Sequence, residues 1–151
     1  MTMPERIATL GGLGRIVPVA PGTVASLLAL FAAWALASVR GQLPVLIAAI
    51  VATVVGLWSA DLYARTRGTS DPSECVVDEV AGQLIACAFA PRTLVCYALA
   101  FLLFRLFDIV KPWPICAAER VAGGFGIMTD DVLAGLLAGS LILALLQLRL
   151  L

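Results

Sequence analysis

The stretch VPVAPGTVASLLALFAAWALASV, residues 17–39, contains no charged side chain and decides the class of the fold. A helix needs about 20 mostly apolar residues to cross a hydrocarbon core about 30 Å thick, and this stretch is long enough. Hydrophobic residues make up 62% of the chain, against roughly 45–50% in a soluble domain. Four further stretches carry no charge: residues 41–60, 80–91, 93–104 and 132–148. The sequence therefore predicts an all-α integral membrane protein.

We predict a bundle of about four to five membrane-embedded helices. Their expected ranges are 24–39, 43–62, 79–90, 93–110 and 131–149. The third helix is too short to span comfortably, so with the fourth it should form a hairpin that turns at Pro91 and Arg92 and returns both ends to one side. Residues 1–151 are expected to form a single domain. No cleaved signal peptide is expected, because Glu5 and Arg15 precede an apolar run that is too long for one.

The charged residues are sorted between the two predicted membrane faces. If the helices alternate in direction, one face receives seven basic residues: Arg6, Arg15, Arg65, Arg67, Arg105, Lys111 and Arg120. The other face receives Arg40, Arg92 and Arg149, so the positive-inside rule makes the first face cytoplasmic. All ten acidic residues are expected on or near that face: Glu5, Asp61, Asp71, Glu74, Asp78, Glu79, Asp108, Glu119, Asp130 and Asp131. The net charge is zero, so nothing indicates a nucleic-acid partner.

The chain contains no histidine. Mechanisms that need an imidazole as base, nucleophile or metal ligand are therefore excluded. The four cysteines form no C-x-x-C pair and are expected to be small buried apolar residues: Cys75, Cys87, Cys96 and Cys116.

Two motifs carry paired carboxylates next to predicted helix starts. Asp78 and Glu79 lie in VVDEVAG, residues 76–82, and Asp130 and Asp131 lie in GIMTDDVLAG, residues 126–135. Carboxylates in a first helical turn interact favourably with the exposed N–H groups there, so capping alone is one interpretation of both motifs.

Asp108 needs a different explanation. It lies near the C-terminal end of its predicted helix, where the helix dipole disfavours a negative charge. An ion pair with Arg105, three residues earlier on the same helix face, is the structural alternative for this position.

Together, the three helix ends place five carboxylates at one depth: Asp78, Glu79, Asp108, Asp130 and Asp131. Ionisable groups at membrane depth are costly and usually mark functional sites. These carboxylates could not all stay ionised side by side without a cation, and oxygen ligands suit Mg²⁺, Mn²⁺ or Ca²⁺. The sequence thus indicates a divalent-cation site at the cytoplasmic face.

Basic groups beside this cluster favour a phosphate substrate. Arg105 belongs to the same helix end, and Lys111 precedes PWP, residues 112–114, whose prolines stop the helix at the water boundary. The sequence lacks the signatures of cysteine-dependent and aspartyl-phosphate phosphatases. It leaves open whether a metal-activated water or a carboxylate is the nucleophile. A cation transporter or channel, or a structural subunit whose charges dock a partner, are the alternatives from other classes.

Four motifs resemble those of the bacterial phosphatidylglycerophosphatase A family in order and approximate spacing. They are PVAPGTVASL (18–27), DPSECVVDEVAG (71–82), FRLFDIVKPWPI (104–115) and GGFGIMTDDVLAG (123–135). The resemblance implies a small, all-helical, Mg²⁺-dependent enzyme of the inner membrane. It would remove the terminal phosphate of phosphatidylglycerophosphate to give phosphatidylglycerol, the precursor of cardiolipin. A phosphatase of another membrane lipid phosphate is the nearest alternative, and homo-oligomerisation is left open.

The resemblance also assigns roles to single residues. Metal binding or catalysis falls to Asp78, Glu79, Asp108, Asp130 and Asp131, with catalysis assigned to the last three. Of the two neighbouring aspartates, we favour Asp131 for chemistry and Asp130 for metal. Phosphate contact falls to Arg105 and Lys111, with Thr23 of the P-G-T motif as a further candidate. One departure is Ala25, where many members of the family have glycine.

Overall fold

The computed structural model of this chain describes residues 1–70, 72–118, 121 and 123–151. These residues form eight α-helices: α1 (Met3–Ala8), α2 (Leu13–Ile16), α3 (Pro21–Arg40), α4 (Leu43–Arg67), α5 (Val77–Ala88), α6 (Leu94–Val110), α7 (Ile115–Ala118) and α8 (Gly124–Gln147). A 3₁₀ turn, Leu10–Gly12, joins α1 to α2. The expected cytoplasmic placement of Asp71, Glu119 and Arg120 lies outside the described residues.

Three helices of the described residues are long and apolar enough to cross a membrane, namely α3, α4 and α8. The prediction of an all-helical membrane protein is therefore confirmed at this level. Helix α5 has 12 residues and α6 has 17, or about 18 Å and 25 Å at 1.5 Å per residue. Both are shorter than a hydrocarbon core of about 30 Å, so the count of four to five spans stays a prediction.

The helix boundaries differ most from the prediction at α8. This helix begins at Gly124, seven residues before the predicted start at residue 131. The backbone N–H of Gly124 donates to Asp61 Oδ1 on α4 at 3.2 Å, which satisfies one of the exposed donors of the first turn. Asp130 and Asp131 therefore lie in the second turn of α8, and capping of this helix does not explain them.

Helix α5 is the centre of the bundle and packs against α3, α4, α6 and α8. Glycines allow its close approach to α8. A Cβ at Gly135 would overlap the carbonyl oxygen of Gly82, and a Cβ at Gly82 would lie 2.6 Å from the carbonyl oxygen of Asp131. Small residues at such crossings let helix backbones meet in membrane proteins. This contact positions Asp131 of α8 beside the start of α5.

The N-terminal segment holds the loop that leads into α5. Arg15 Nη2 donates to Glu5 Oε1 at 2.8 Å and to the Tyr63 hydroxyl on α4 at 3.2 Å, and the hydrogen bond from Arg15 lowers the pKa of the Glu5 carboxyl. The backbone N–H of Val76 donates to the Ala8 carbonyl oxygen at 2.9 Å. The short helices α1 and α2 thereby fix the residue before α5, although they were not predicted from the sequence.

The opposite end of the bundle is fixed by an aromatic cluster. The guanidinium of Arg92 lies 4.3 Å from the centre of the Trp34 ring, and its Nε donates to the Trp34 carbonyl oxygen at 3.0 Å. Trp34 meets Tyr97 edge to face, with ring centroids 5.2 Å apart. Helix α5 ends at Ala88, α6 begins at Leu94, and the two helices pack together, which confirms the predicted hairpin turn at Pro91 and Arg92. The turn contacts α3 through Arg92.

Candidate active site

Three of the predicted carboxylates form one group. Asp78 and Glu79 lie in the first turn of α5, Asp131 lies in the second turn of α8, and one oxygen from each lies within 4.8 Å of the others. Asp78 is 9% exposed and Asp131 2% exposed. Spacing of this kind is what a single small cation needs from oxygen ligands on two helices.

Two oxygens of this group have no hydrogen-bond partner among the described residues. They are Asp78 Oδ1 and Glu79 Oε2, both buried. A buried charged group without a partner costs several kcal/mol, so the site is unfavourable when it holds nothing positive. The donor set consists of carboxylate oxygens alone, which fits a hard divalent cation such as Mg²⁺.

Asp108 lies beside this group at the C-terminal end of α6. It is close enough to Asp131 and Glu79 for the charges of the three carboxylates to interact. On its other side, Arg105 Nη1 lies 2.7 Å from Asp108 Oδ2, and both side chains are mostly buried. The ion pair considered as the structural alternative for R-x-x-D is therefore present, and it neutralises the carboxylate at the unfavourable end of the helix dipole.

Asp130 has a different partner from Asp131. Lys111 Nζ lies 2.9 Å from Asp130 Oδ2, and the backbone N–H of Asp131 donates to Asp130 Oδ1 at 3.0 Å. Lys111 itself ends α6 in the left-handed conformation, with φ of 47°. Adjacent aspartates thus face different surroundings, one in the three-carboxylate group and the other against a lysine.

The P-G-T motif lies directly beside Glu79. A Cβ at Gly22 would overlap Glu79 Oε1, so only glycine leaves room for this carboxylate at the start of α3. Thr23 is half-buried on the same turn. The structure thus brings the predicted Thr23 to the edge of the site and assigns a packing reason to the glycine before it.

Three polar residues near the site were not predicted. Ser26 is buried and lies 3.5 Å from Arg105 Nη1, while its own hydroxyl donates to the Gly22 carbonyl oxygen at 2.8 Å. Gln83 is fully buried one turn after Glu79 on α5. Asp61 caps α8 from α4. Each is a polar side chain within or at the end of an apolar helix, which is the sequence signal that could have identified them.

Comparison with known proteins supports the motif resemblance over most of the chain. The family model described as phosphatidylglycerophosphatase A matches residues 6–146. The chain is 38% identical to a phosphatidylglycerophosphatase A of Haemophilus influenzae over 145 residues, which cover 94% of this chain and 88% of that protein. It is 31% identical to the phosphatidylglycerophosphatase A of Escherichia coli over 144 residues, or 94% of this chain and 83% of that protein.

A third relative has a different name. The chain is 40% identical over 140 residues to a putative phosphatidylinositol-3-phosphatase of Bacteroides thetaiotaomicron, covering 88% of this chain and 87% of that protein. No solved structure matches the chain significantly. The family model, however, spans all the carboxylates of the site and both basic residues paired with them. The chain therefore belongs to the phosphatidylglycerophosphatase A family.

Proposed function

We propose that this chain removes the terminal phosphate of phosphatidylglycerophosphate and that Asp78, Glu79 and Asp131 bind the divalent cation that the reaction uses. The phosphatase activity follows from family membership. One observation carries the proposal of a cation site: three carboxylates from two helices meet within 4.8 Å, and two of their buried oxygens lack any hydrogen bond from the described residues.

Mg²⁺ is the cation we propose, and it would neutralise charge on the transferring phosphoryl group and acidify a bound water. Arg105 and Lys111 would bind phosphate oxygens. Each already pairs with a carboxylate, at 2.7 Å to Asp108 and 2.9 Å to Asp130. Substrate phosphate would therefore compete for, or share, donors that the protein has already oriented. Donors that are oriented before the substrate binds lower the activation free energy of phosphoryl transfer, because the chain does not have to rearrange during the reaction.

Asp108 is best placed to handle the proton when water is the nucleophile. Its charge interacts with that of Asp131 of the metal group, and it forms an ion pair with Arg105. In this scheme water attacks phosphorus, the bond to the glycerol oxygen breaks, and Asp108 takes the proton of the water and returns it to the leaving oxygen. A carboxylate nucleophile remains the alternative. Asp130 would orient Lys111 through their ion pair. It would also hold the helical turn that carries Asp131, because it accepts a hydrogen bond from the Asp131 backbone N–H.

We also propose that the site lies at the cytoplasmic face of the bacterial inner membrane. The ends of α4 and α6 that approach the site carry Arg65, Arg67, Arg105 and Lys111, whereas Arg92 lies at the opposite end of the bundle. The positive-inside rule then assigns the carboxylate end to the cytoplasm. Lipid tails would stay in the bilayer while the headgroup reaches the site from the interface.

The relative named as a phosphatidylinositol-3-phosphatase supports a second candidate substrate, a phosphoinositide. Both candidates are phosphomonoesters on a lipid headgroup. The carboxylates and basic residues of the site recognise that shared group rather than the alcohol. Selection between the two must therefore come from contacts to the glycerol or inositol.

One experiment tests substrate and cation together. The purified protein is assayed for phosphate release from phosphatidylglycerophosphate, phosphatidylinositol 3-phosphate, phosphatidate and a polyprenyl phosphate, in Mg²⁺ and then in EDTA. We expect the highest kcat/KM for phosphatidylglycerophosphate and loss of release in EDTA. Preference for the phosphoinositide would reassign the substrate. Release that persists in EDTA would refute the cation site.

A further inference from the structure

The N-terminal segment, residues 1–16, packs against the residues that lead into α5. A Cβ at Gly14 would lie 2.0 Å from the carbonyl oxygen of Glu74 and 2.8 Å from its carbonyl carbon, so only glycine lets the two backbones meet. Two residues further along, the backbone N–H of Val76 donates to the Ala8 carbonyl oxygen at 2.9 Å. The segment therefore holds Glu74 and Val76 from one side, and it holds both by their backbone.

The residues held in this way come directly before the carboxylate group. Val76 is fully buried and is the cap residue of α5, and Asp78 follows it in the first turn of that helix. A shift of Val76 would therefore move the start of α5 and the backbone that carries Asp78. Asp131 is carried by a different helix, α8. The distance between the two carboxylates thus depends on where residues 72–76 are held.

Arg15 fixes the segment to the rest of the bundle. Its Nη2 donates to Glu5 Oε1 at 2.8 Å within the segment and to the Tyr63 hydroxyl of α4 at 3.2 Å. The guanidinium also lies 5.6 Å from the centre of the Tyr63 ring, within the range of a cation–π contact. Tyr63 is 1% exposed, and it shares a buried apolar cluster with Ala8 and Cys75. One side chain thus joins α1, α2 and α4 around the loop before α5.

Membrane anchoring alone does not account for this packing. Ile16 and Val19 are 80% and 77% exposed, as expected of a segment that lies at the bilayer surface. Anchoring of that kind needs only an apolar face. It gives no reason for a glycine against the Glu74 carbonyl group, or for a guanidinium between Glu5 and Tyr63.

We propose that docking of the N-terminal segment sets the affinity of the carboxylate group for its cation. Gly14 and Arg15 are then positioning residues that act on Asp78 through the loop before α5. The inference rests on the proposed function, because it takes Asp78 as a ligand. The coupling must be reciprocal: docking strengthens cation binding, and a bound cation strengthens docking by the same factor. Both contacts use the loop backbone, so Glu74→Gln should leave them intact.

Gly14→Ala tests the coupling from the side of the segment. The new methyl group would overlap the Glu74 carbonyl group, so the two backbones must separate. Gly11→Ala is the matched control, because its positive φ of 72° adds strain to the same segment while a Cβ there would meet no atom within 4 Å. We expect Gly14→Ala to bind Mn²⁺ about tenfold more weakly than Gly11→Ala in an EPR titration of the purified protein. Unchanged affinity, or an equal loss in both variants, would overturn the proposal.

Amide hydrogen exchange measures docking in EDTA, without cation or substrate. We expect peptides covering residues 72–76 to exchange faster in Gly14→Ala than in wild type, because the Val76 N–H loses its acceptor. Peptides of α5 after residue 80 should exchange alike in both. Tyr63→Phe keeps the ring and removes one acceptor of Arg15, so it should have the same effect to a smaller extent. Exchange at residues 72–76 that neither substitution changes would overturn the proposal.

The reciprocal effect separates this proposal from the cation site on which it rests. Mn²⁺ should slow exchange at residues 72–76 in wild type but not in Asp131→Asn. Faster exchange in Gly14→Ala with unchanged Mn²⁺ affinity would overturn the coupling and leave the cation site intact. Absence of Mn²⁺ binding by wild type would instead refute the cation site itself, and the coupling with it.

Discussion

Arg105 Nη1 lies 2.7 Å from Asp108 Oδ2 and 3.5 Å from Ser26 Oγ. The guanidinium proposed to hold phosphate is thus already aimed by two partners, one on its own helix and one on α3. Its Nε is buried and has no partner among the described residues. A phosphate oxygen is the kind of acceptor that would complete the hydrogen bonds of this side chain.

Replacing Arg105 by lysine should therefore reduce activity despite keeping the charge. Lysine cannot reproduce the planar fork that contacts Asp108 and Ser26 together. Hydrogen bonds to charged groups contribute about 1.5–3 kcal/mol, so we expect kcat/KM to fall about 10- to 100-fold. Steady-state phosphate release from phosphatidylglycerophosphate measures this. Activity of Arg105→Lys equal to wild type would show that the residue serves only as a point charge.

The pair formed by Lys111 and Asp130 predicts non-additive losses. If Asp130 acts by orienting Lys111, removing either residue removes the same function. We expect Lys111→Met and Asp130→Asn each to lower kcat/KM about tenfold or more, and the double variant to be no worse than the poorer single variant. A double-mutant cycle on kcat/KM tests this. Losses that simply multiply would instead mean that the two residues act separately, as they would if Asp130 were a metal ligand.

Gly22 offers a test that leaves every charged residue in place. In Gly22→Ala the new methyl group would overlap Glu79 Oε1, so this carboxylate must move away from Asp78 and Asp131. We expect a higher Mg²⁺ concentration for half-maximal activity, by about tenfold or more. Gly68→Ala is the control, because it carries a positive-φ penalty with no atom nearby. Equal Mg²⁺ dependence of Gly22→Ala and wild type would contradict the placement of Glu79.

Some features of this fold could be predicted from the sequence because they depend on local composition. Helix α6 begins and ends within one residue of its predicted range, since Thr93 caps its start at 3.2 Å and Pro112 follows its end. The gathering of carboxylates at one end of the bundle follows from helix order alone. The predicted start of α8 was wrong because the hydrogen-bond acceptor for its first turn is Asp61. This residue lies on another helix, so the local sequence of α8 does not indicate it.

The grouping of the carboxylates could not be predicted from spacing. Five of them were expected at one depth, yet the structure places Asp78, Glu79 and Asp131 together and gives Asp130 a separate lysine partner. The separation of Asp131 from Asp130 depends on the contact between Gly82 and Gly135, which sets how α8 is rotated against α5. Long-range packing of this kind is not encoded in any single motif. The assignment of metal and catalytic roles to these residues stays a prediction.

The cation site also predicts an inverse relation between stability and activity. Asp78, Glu79 and Asp131 are close, largely buried and of like charge, so removing one should relieve repulsion when no metal is present. We expect Asp78→Asn to raise Tm in EDTA by about 2–4 °C for each kcal/mol of repulsion removed, while its phosphatase activity is lost. Mg²⁺ should raise the Tm of wild type but not of this variant.

Thermal unfolding in a single detergent, with and without Mg²⁺, provides the measurement. Glu74→Gln serves as the matched control, because Glu74 is a carboxylate paired with Arg67 outside the group. A lower Tm of Asp78→Asn in EDTA, or an unchanged response to Mg²⁺, would argue against a destabilised cation site.

Binding of a divalent cation by Asp78, Glu79 and Asp131, on which phosphate release would depend, can be measured directly. The most direct measurement is a titration of the purified protein with Mn²⁺, which has an EPR signal, alongside phosphate release from phosphatidylglycerophosphate in the same samples. We expect wild type and Glu74→Gln to bind Mn²⁺ and release phosphate. We expect Asp131→Asn to bind Mn²⁺ at least about tenfold more weakly and to lose activity in parallel. Unchanged Mn²⁺ affinity in Asp131→Asn, Asp78→Asn and Glu79→Gln would contradict the cation site.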